Sequence, residues 1–381
     1  MIYLFFSLVI LILYVFVGYP LILSVLVRIK PAVECRQAPC GNEKFSITAV
    51  MIVCNEEKFI VDKINNLLSL QYTEKKLKIL IVDDASTDQT VDLIKGFNSD
   101  RVTLLKTKER SGKAAGINYA MEHVTSDLVM MLDARQSINF TSAKDLSSWF
   151  EVDSLTGAVS GELQFKNEGK NDISEGMDGY WKYEKFIRKS ESIIGSVPGV
   201  TGAMYMFKRS LYQNIPVDTI LDDVLIPMNI SKKGYWVGFD ERAVALDIPS
   251  NDLTKEKMRK TRTIKGNYQL WFRNISFTLP FYHPVWWQYL SHKVLRLLAP
   301  YAALLSLIIS LIIGNQGSLF GYGYALLFIL GISLYPLSFK LPKLLGIGIL
   351  RLGISFVALN WFNMLGLFHY VFDKKQQAWK K

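Results

Sequence analysis

The 381-residue sequence contains only three cysteines, and no repeat of about 20 to 50 residues is visible in it. Cys35, Cys40 and Cys54 are odd in number and do not have the spacing of metal ligands, which excludes a disulfide framework and a cysteine-based metal site. Half of the residues are hydrophobic and 13% are aromatic, which excludes a disordered chain. Acidic residues are outnumbered by basic ones, and the net charge of +10 favours anionic partners such as phosphates, anionic lipids or nucleic acid.

Charged residues are missing from residues 1–27. A bilayer core takes about 20 apolar residues in a helix, so this segment predicts a membrane span, with a buried core helix as the alternative. It has no basic start and no small-residue cleavage site, which argues against a cleaved signal peptide. The linker, residues 28–45, contains three basic residues in its first half, namely Arg28, Lys30 and Arg36. Because positive loops stay in the cytosol, the N-terminus should lie outside.

The C-terminal part of the chain is apolar again. Residues 297–313 and 319–339 predict two further spans, and residues 344–372 form another long apolar stretch. The basic tail, residues 373–381, favours the cytosol, whereas counting the spans places it outside. A single crossing and a re-entrant course both stay open for the last stretch of this C-terminal transmembrane region, residues 297–372.

Residues 281–296 combine aromatic and basic side chains, among them Trp286, Trp287, Lys293 and Arg296. Such a composition favours the headgroup layer of a membrane. We therefore expect an amphipathic helix that lies on the inner leaflet, with an ordinary amphipathic core helix as the alternative.

The middle region, residues 46–280, alternates apolar and amphipathic segments. Strands are predicted at residues 46–53, 77–82, 102–105 and 128–132, and helices at residues 56–70, 86–97 and 112–124. Near-continuous apolar strands are typical of a sheet that is covered on both faces. The region is therefore predicted to be an α/β domain with a doubly wound, mostly parallel central sheet.

Ligands of such sheets bind beyond the carboxyl ends of the strands, and charged residues lie there. Asp84 belongs to the sequence VDDASTD, where Ser86 is expected to cap the next helix. Lys113 opens the third helix after a glycine and can neutralise a phosphate, although the Walker spacing is absent. Asp133, in the sequence LDAR, can hold a divalent cation. Taken alone, each motif also fits a capped turn or a solvated surface.

Two further groups of charged residues follow. Asp222 and Asp223 stand side by side in apolar surroundings, where burial and mutual repulsion would raise a carboxyl pKa and suit a general base. The alternative is an acid pair at a helix N-terminus. Arg259, Arg262 and Lys265 recur every three residues and share a helix face. They can clamp a diphosphate or attract anionic lipid.

Taken in the order in which they occur along the chain, these motifs resemble those of the family 2 inverting glycosyltransferases of GT-A fold. The resemblance is carried by Asn55-Glu56, VDDASTD, the Gly-Lys helix, LDA, the acid pair and the basic helix, and runs from about Ser46 to Trp271. The membrane-embedded members, namely the cellulose, chitin, hyaluronan and poly-N-acetylglucosamine synthases, look the most similar. This resemblance implies a GT-A domain between N-terminal and C-terminal transmembrane helices.

The resemblance also implies donor-binding residues. Asn55 and Glu56 would lie in the first nucleotide-binding loop, and Asp84 would contact the uracil of a UDP-sugar. Lys113 would approach the diphosphate, and Asp133 would be the first acid of the metal-binding DxD motif.

It further implies residues for the reaction and the acceptor. Asp223 would be the catalytic base, with Asp222 beside it. Arg262 would be the arginine of the Gln-x-x-Arg-Trp motif, which lies near the diphosphate or the acceptor, with Arg259 in the position of the glutamine.

Four positions depart from the family pattern. Cys54 stands where a tyrosine usually precedes Asn-Glu, and Arg135 replaces the second acid of DxD. Arg135 can carry phosphate charge itself, which leaves the use of Mg²⁺ or Mn²⁺ open. Arg259 and Thr263 replace the Gln and the Trp of the basic-helix motif. The tryptophan stacks on the acceptor sugar in processive synthases, so its absence argues against a channel for a long polymer.

The sequence thus predicts a multi-pass protein of the plasma or inner membrane with a cytosolic inverting glycosyltransferase domain. It would transfer one sugar from a nucleotide donor, with a UDP-sugar as the first expectation, to a lipid-linked or membrane-proximal glycan acceptor in the synthesis of cell-surface polysaccharide. A processive exopolysaccharide synthase and an inactive membrane scaffold that retains the fold are the alternatives. Nucleic acid is not an expected partner, because the basic residues adjoin the membrane segments and no nucleic-acid motif is present.

Overall fold

A computed structural model describes residues 1–30, 42–165, 172–247, 253–341 and 348–372. Several sequence predictions fall outside the described residues. They concern Cys35, Arg36 and Cys40 in the linker, the residues that join the last two apolar segments, and the basic tail, residues 373–381.

The chain alternates helices and strands throughout its middle region. The strands are β1 (Ile47–Val53), β2 (Leu77–Asp83), β3 (Val102–Lys106), β4 (Leu128–Leu132), β5 (Ser137–Ile138), β6 (Thr156–Phe165), β7 (Met204–Lys208) and β8 (Trp236–Asp247). The helices are α1 (Ile2–Leu13), α2 (Tyr19–Ile29), α3 (Ile60–Leu68), α4 (Thr90–Lys95), α5 (Lys113–His123), α6 (Ser142–Val152), α7 (Asp172–Ile194), α8 (Asp222–Lys232), α9 (Leu253–Arg273), α10 (Trp286–Gln288), α11 (Leu295–Asn315), α12 (Leu319–Lys340) and α13 (Gly348–Phe372).

The strands form one eight-stranded sheet in the order β3-β2-β1-β4-β7-β6-β8-β5. β1, β2, β3 and β4 pair in parallel, as do β6 and β8, whereas β7 runs antiparallel to both of its neighbours. The short β5 is also antiparallel, to β8. The predicted α/β fold with a mostly parallel sheet is therefore confirmed.

The sheet is covered on both faces, as its apolar strands predict. Along β1, Val50 and Ile52 belong to one buried cluster, whereas Ala49 and Met51 belong to the other. Side chains alternate between the two faces of a strand, so one strand contributes to two cores. Residues of α5 and α8 complete the first core, and residues of α3 and α6 complete the second.

The start of α4 differs from the prediction. We expected Ser86 to cap a helix that begins directly after it, but α4 begins at Thr90, and that expectation is wrong. The N-cap residue is Gln89, and the carboxylate of Asp88, one residue earlier, accepts hydrogen bonds from the backbone N–H and the hydroxyl of Thr90. The Ser86 hydroxyl is used elsewhere, as the acceptor of the Asn55 backbone N–H at 2.9 Å.

Among the described residues, three helices are long and apolar enough to cross a membrane. They are Ile2–Ile29, Trp286–Asn315 and Leu319–Ser338, judged by length and composition. The first combines α1, a π-helical turn at Tyr14–Gly18 and α2. In α13 the apolar part, Phe356–Phe372, is shorter. The chain therefore has the helices of a membrane protein, and its orientation across the membrane stays a prediction.

The predicted interfacial helix, residues 281–296, is not a separate helix. From Trp286 it continues through a π-helical turn at Tyr289–Val294 directly into α11. Partly buried polar contacts join this helix to the N-terminal helix: the indole N–H of Trp287 donates to the Tyr14 hydroxyl at 3.0 Å, and that hydroxyl bonds with Ser291 at 2.8 Å. The segment thus packs against the N-terminal helix over part of its surface.

Candidate active site

The first loop of the site follows β1, where Asn55 and Glu56 were predicted to bind the nucleotide. Asn55 has a positive φ of 56°, a conformation that asparagine tolerates better than most residues. Its side-chain oxygen accepts the backbone N–H of Thr87 at 2.8 Å. The backbone N–H of Glu56 donates to the Thr90 hydroxyl at 2.8 Å. These bonds connect the loop after β1 to the loop after β2.

Asp84, directly after β2, is completely buried. One of its carboxylate oxygens accepts the Ser111 backbone N–H at 2.7 Å and the Ser111 hydroxyl at 3.0 Å. The other accepts the backbone N–H of Gly112 at 2.9 Å. Asp84 therefore stabilises the turn that begins α5, and this turn positions Lys113. The contact of Asp84 with a nucleotide base stays a prediction. The base would bond to the same two carboxylate oxygens that accept the Ser111 and Gly112 N–H groups.

Replacement of Asp84 by alanine should destabilise the fold. The buried N–H of Gly112 and the partly buried N–H of Ser111 would lose their acceptor, at a cost of about 1–3 kcal/mol for an unsatisfied buried group. We expect Asp84→Ala to lower the free energy of unfolding by roughly 2–4 kcal/mol, measured by denaturation of the detergent-solubilised chain. Asp92→Ala, at an exposed position of α4, is the control. Equal stability of the two variants would contradict this role.

Lys113, at the first position of α5, lies among acids. Its Nζ is 3.0 Å from Oδ1 of Asp133 and 3.5 Å from Oδ2 of Asp222. Only 12% of its side chain is exposed, and burial alone would lower the pKa of the ammonium. The surrounding carboxylates instead raise the Lys113 pKa above its ordinary value, so the group stays charged.

The acid pair opens α8, as one reading of the sequence predicted. Asp222 is buried and Asp223 is half-buried. Burial and the negative charge of Asp222 raise the pKa of Asp223 to about 6, against the opposing pull of Lys113 and Lys293. Asp223 is therefore a carboxylate at neutral pH that can still accept a proton.

Gly202 shows how closely the acids converge. A Cβ added at this glycine would lie 3.3 Å from Oδ2 of Asp223 and 3.8 Å from Oδ2 of Asp133. The two carboxylates therefore face the same small residue, and Lys113 bonds one of them. The structure brings together four predicted site residues, Lys113, Asp133, Asp222 and Asp223.

Among the described residues, Arg135, Arg259 and Arg262 make no hydrogen bond or ion pair with these four. Arg135 pairs with Asp247 at the end of β8, and the same carboxylate accepts Nε2 of Gln136 at 3.1 Å. The guanidinium thus has a protein partner. Arg259 and Arg262 are exposed on α9, and the described residues show no bond between either of them and the acids.

Sequence reasoning missed Gln269 and Arg273, which support the acid pair from α9. The buried Gln269 side chain accepts the Ile220 backbone N–H at 3.0 Å and donates to the Asp218 carbonyl at 2.9 Å. The Arg273 guanidinium donates to both carboxylate oxygens of Asp218, at 2.8 and 2.6 Å. Gln269 stands between Tyr268 and Leu270, which are also buried, and a glutamine within this apolar stretch was the available signal.

The Asp133 carboxylate is the one that a divalent cation could reach from solvent most easily in this site. The Asp133 side chain is 42% exposed, and Mg²⁺ is commonly held by one or two carboxylates together with substrate phosphates. Within the described part of the chain, no group of three or more His, Cys, Asp or Glu side chains could hold a metal by itself. The residues therefore fit a cation that is shared with a diphosphate, not a metal site that exists without substrate.

Comparisons with known proteins agree with this geometry. The family model described as Glycosyl transferase family 2 matches residues 48–215, which include the first loop, Lys113 and Asp133. Residues 48–215 are therefore similar to glycosyltransferase family 2 domains. Asp222, Asp223 and the basic helix follow the matched residues in the sequence.

The chain is also similar to named proteins. The chain is 26% identical over 247 residues to the poly-beta-1,6-N-acetyl-D-glucosamine synthase of Staphylococcus aureus (strain COL), a match of 62% of this chain and 58% of that relative. It is 23% identical over 241 residues to the enzyme of the same name from Staphylococcus epidermidis, with 61% and 57% covered. The chain thus spans somewhat over half the length of these relatives.

One solved structure shares the fold over nearly the whole length. It is the mannosyltransferase PcManGT from Pyrobaculum calidifontis, in complex with GDP-Man and Mn²⁺. The TM-score is 0.75 at 20% identity, with 98% of this chain and 99% of that chain covered. The predicted GT-A fold of the glycosyltransferase domain is confirmed, and the terminal apolar helices fall within the same match.

Proposed function

We propose that the chain is an inverting glycosyltransferase that moves one sugar from a nucleotide-sugar donor to an acceptor hydroxyl. The observation that carries this proposal is the half-buried Asp223 carboxylate, with a pKa of about 6, which faces Gly202 together with Asp133. A base with a pKa near the working pH is what general-base catalysis requires.

In the proposed reaction, Asp223 takes the proton of the acceptor hydroxyl. The acceptor oxygen then forms a bond to the anomeric carbon while the bond from that carbon to the diphosphate breaks. Attack from the face opposite the diphosphate inverts the configuration of the sugar. The ammonium of Lys113 lies beside Asp133 and would stabilise the negative charge that the departing diphosphate gains.

Asp133 would hold a divalent cation together with the diphosphate, and such a cation supplies further neutralisation of the leaving group. Arg135 takes the place of a second metal-binding acid but is held by Asp247. We therefore propose that Asp133 alone supplies the protein's carboxylate to Mg²⁺ or Mn²⁺.

The donor and acceptor follow from the sequence prediction. We retain a UDP-sugar as the first donor, with a GDP-sugar as the second because the structurally similar mannosyltransferase was solved with GDP-Man. The acceptor is a lipid-linked or membrane-proximal glycan, and the domain works on the cytosolic side of the cell membrane. A processive synthase is a second candidate, favoured by the names of the sequence relatives.

The proposal predicts that the purified full-length chain consumes one class of nucleotide sugar. We would incubate it in detergent with UDP- and GDP-linked sugars and membrane lipid extract, and follow nucleoside diphosphate release and product mass. Product NMR would then report inversion. A chain that binds nucleotide but neither hydrolyses nor transfers any sugar would instead support the inactive scaffold.

Removal of the metal should weaken donor binding. With EDTA, we expect the Kd of the preferred nucleotide, measured by calorimetry, to rise by about tenfold or more, because one cation that neutralises the diphosphate is lost. Mn²⁺ or Mg²⁺ should restore it in the original protein but not in Asp133→Asn. Equal responses of the two proteins to the metal would contradict the assignment of Asp133.

A further inference from the structure

A buried polar network joins α7 to the helix that leads into the membrane. His292, in the π-helical turn at Tyr289–Val294, bonds through Nδ1 with Glu191 at 2.9 Å and through Nε2 with Glu184 at 3.0 Å. The Tyr19 hydroxyl donates to Glu191 at 2.6 Å, and Arg296 pairs with Glu184. Both carboxylates of α7 are thus committed to partners in the apolar helices.

Two cations of the same region have no such partner. Arg188 stands four residues after Glu184 and three before Glu191, so it shares their face of α7. Lys293 directly follows His292. Both side chains are half-buried, and among the described residues neither makes a hydrogen bond or an ion pair. We refer to Arg188 and Lys293 as the basic pair.

The carboxylates around the basic pair are shared with other groups. The positive charges of Arg188 and Lys293 act on each other, and Arg296 adds a third. The acids whose charge reaches Lys293 are Glu184, Glu191 and Asp223, and Arg296, His292 and Tyr19 already engage the first two. One oxygen of Glu191, Oε2, has no hydrogen-bond partner among the described residues. A half-buried cation that makes no direct ion pair is suited to a bound anion.

Lys293 of the basic pair belongs to the apolar helix Trp286–Asn315. Lys293 is close enough to Asp223 for its charge to act on that carboxylate. The loop after α7 runs from the apolar helix to the acid pair. At its start, a Cβ added at Gly195 would lie 3.0 Å from Nε2 of Gln288. Further along, a Cβ added at Gly202 would lie 3.3 Å from Oδ2 of Asp223, and the Val200 N–H donates to the Asp223 carbonyl. An anion held by the basic pair would therefore sit between the apolar helices and Asp223.

We propose that Arg188 and Lys293 bind the diphosphate group of a lipid-linked sugar acceptor, whose sugar hydroxyl then reaches Asp223. This inference rests on the proposed function and specifies the acceptor. The lipid tail lies along the apolar helices, and the two cations contact the phosphate oxygens with charge-assisted hydrogen bonds. Lys113 and Asp133 serve the donor diphosphate, so the site holds two separate phosphate-binding positions.

Binding of a polyprenyl diphosphate-linked N-acetylglucosamine to the full chain in nanodiscs tests the proposal. We expect Arg188→Ala and Lys293→Met each to weaken binding by about tenfold or more, and Arg188→Lys with Lys293→Arg to retain most of it. Lys189→Ala is the matched control, because Lys189 is exposed on the same helix and pairs with Glu241 at 2.8 Å. Donor binding, measured separately by calorimetry with UDP and GDP, should not change in any of these variants.

Competitors distinguish the sources of the phosphate. Inorganic diphosphate should compete weakly and only in proteins with the basic pair intact, whereas phosphatidylglycerol vesicles should not compete. Unchanged lipid-acceptor binding in both single variants would overturn the proposal. Equal competition by phosphatidylglycerol would also overturn it, because the basic pair would then be a general headgroup site. If the original protein neither bound nor hydrolysed a nucleotide-sugar donor, that result would instead count against the proposed function.

Discussion

Asp223→Asn should lower kcat by about 10²–10⁴-fold or more while donor binding stays close to that of the original protein. Asparagine keeps the shape of the side chain but cannot take a proton from an acceptor hydroxyl. The loss should therefore appear in kcat, measured from nucleoside diphosphate release at saturating donor and acceptor. Asp62→Asn, at an exposed position of α3, is the charge-matched control. Near-normal turnover in Asp223→Asn would remove Asp223 from the reaction.

The same residue predicts the dependence of activity on pH. Because burial and Asp222 raise the pKa of Asp223 to about 6, kcat/KM should rise through pH 6 and level off above it. In Asp223→Asn this rise should disappear from the residual activity.

The stability of the fold should change with pH in the opposite sense to activity, because it should fall as the pH rises. The folded chain holds the Asp223 proton more tightly than the unfolded chain, since the pKa rises from 3.8 to about 6. The side chain therefore favours folding below about pH 4, and this contribution is lost as pH rises through 6. At pH 7, Asp223→Asn should be more stable than the original protein by up to roughly 3 kcal/mol. A destabilised variant would indicate a structural role for the carboxylate.

Lys113→Met should have the second largest effect. It removes an ammonium whose Nζ lies 3.0 Å from Asp133 and 3.5 Å from Asp222, so the diphosphate would meet acids that this charge no longer compensates. We expect kcat/KM to fall by about 10²–10³-fold, the range found when a single charge-stabilising donor is removed. The acid limb of the pH profile should also move upwards, because Lys113 holds the pKa of Asp223 down.

Two further variants make this prediction specific. Lys113→Arg keeps the charge and should leave the acid limb of the pH profile close to its original position. Lys95→Met removes an exposed lysine from α4 and should change neither rate nor profile. A loss of rate in Lys113→Met without a shift of the acid limb would show that Lys113 does not act on Asp223 electrostatically.

Much of the fold could be predicted because its signals are local. β1, β2 and β4 are short apolar runs that end at polar loops, and their bounds differ from the predictions by at most about one residue. Parallel pairing then places their carboxyl ends on one edge, as Met51 opposite Leu132 and Val53 opposite Asp83 show. Asp133 therefore had to lie near the loops after β1 and β2.

The partners of individual side chains could not be predicted in the same way. Arg135 and Asp247 are 112 residues apart, and β8 brings them together only because it lies beside β6 and β5. Gln269 reaches the residues before Asp222 through the packing of α9, which no local pattern encodes. Asp84 was correctly placed at a strand end, but the sequence does not indicate that amides of Ser111 and Gly112 occupy its oxygens.

Close contacts at the glycines of α9 and α13 link the last apolar helix to the acid pair. Side chains of Ile220 and Leu221 fill the space in front of Gly266 on one side of α9, and Ile264 of the same helix fills the space in front of Gly366 of α13. At these positions α13, α9 and the turn that precedes Asp222 are therefore in direct contact. We expect a change in the tilt of α13 to displace α9 and the acid pair with it, and the acyl-chain length of the surrounding lipid to affect the rate of the proposed reaction.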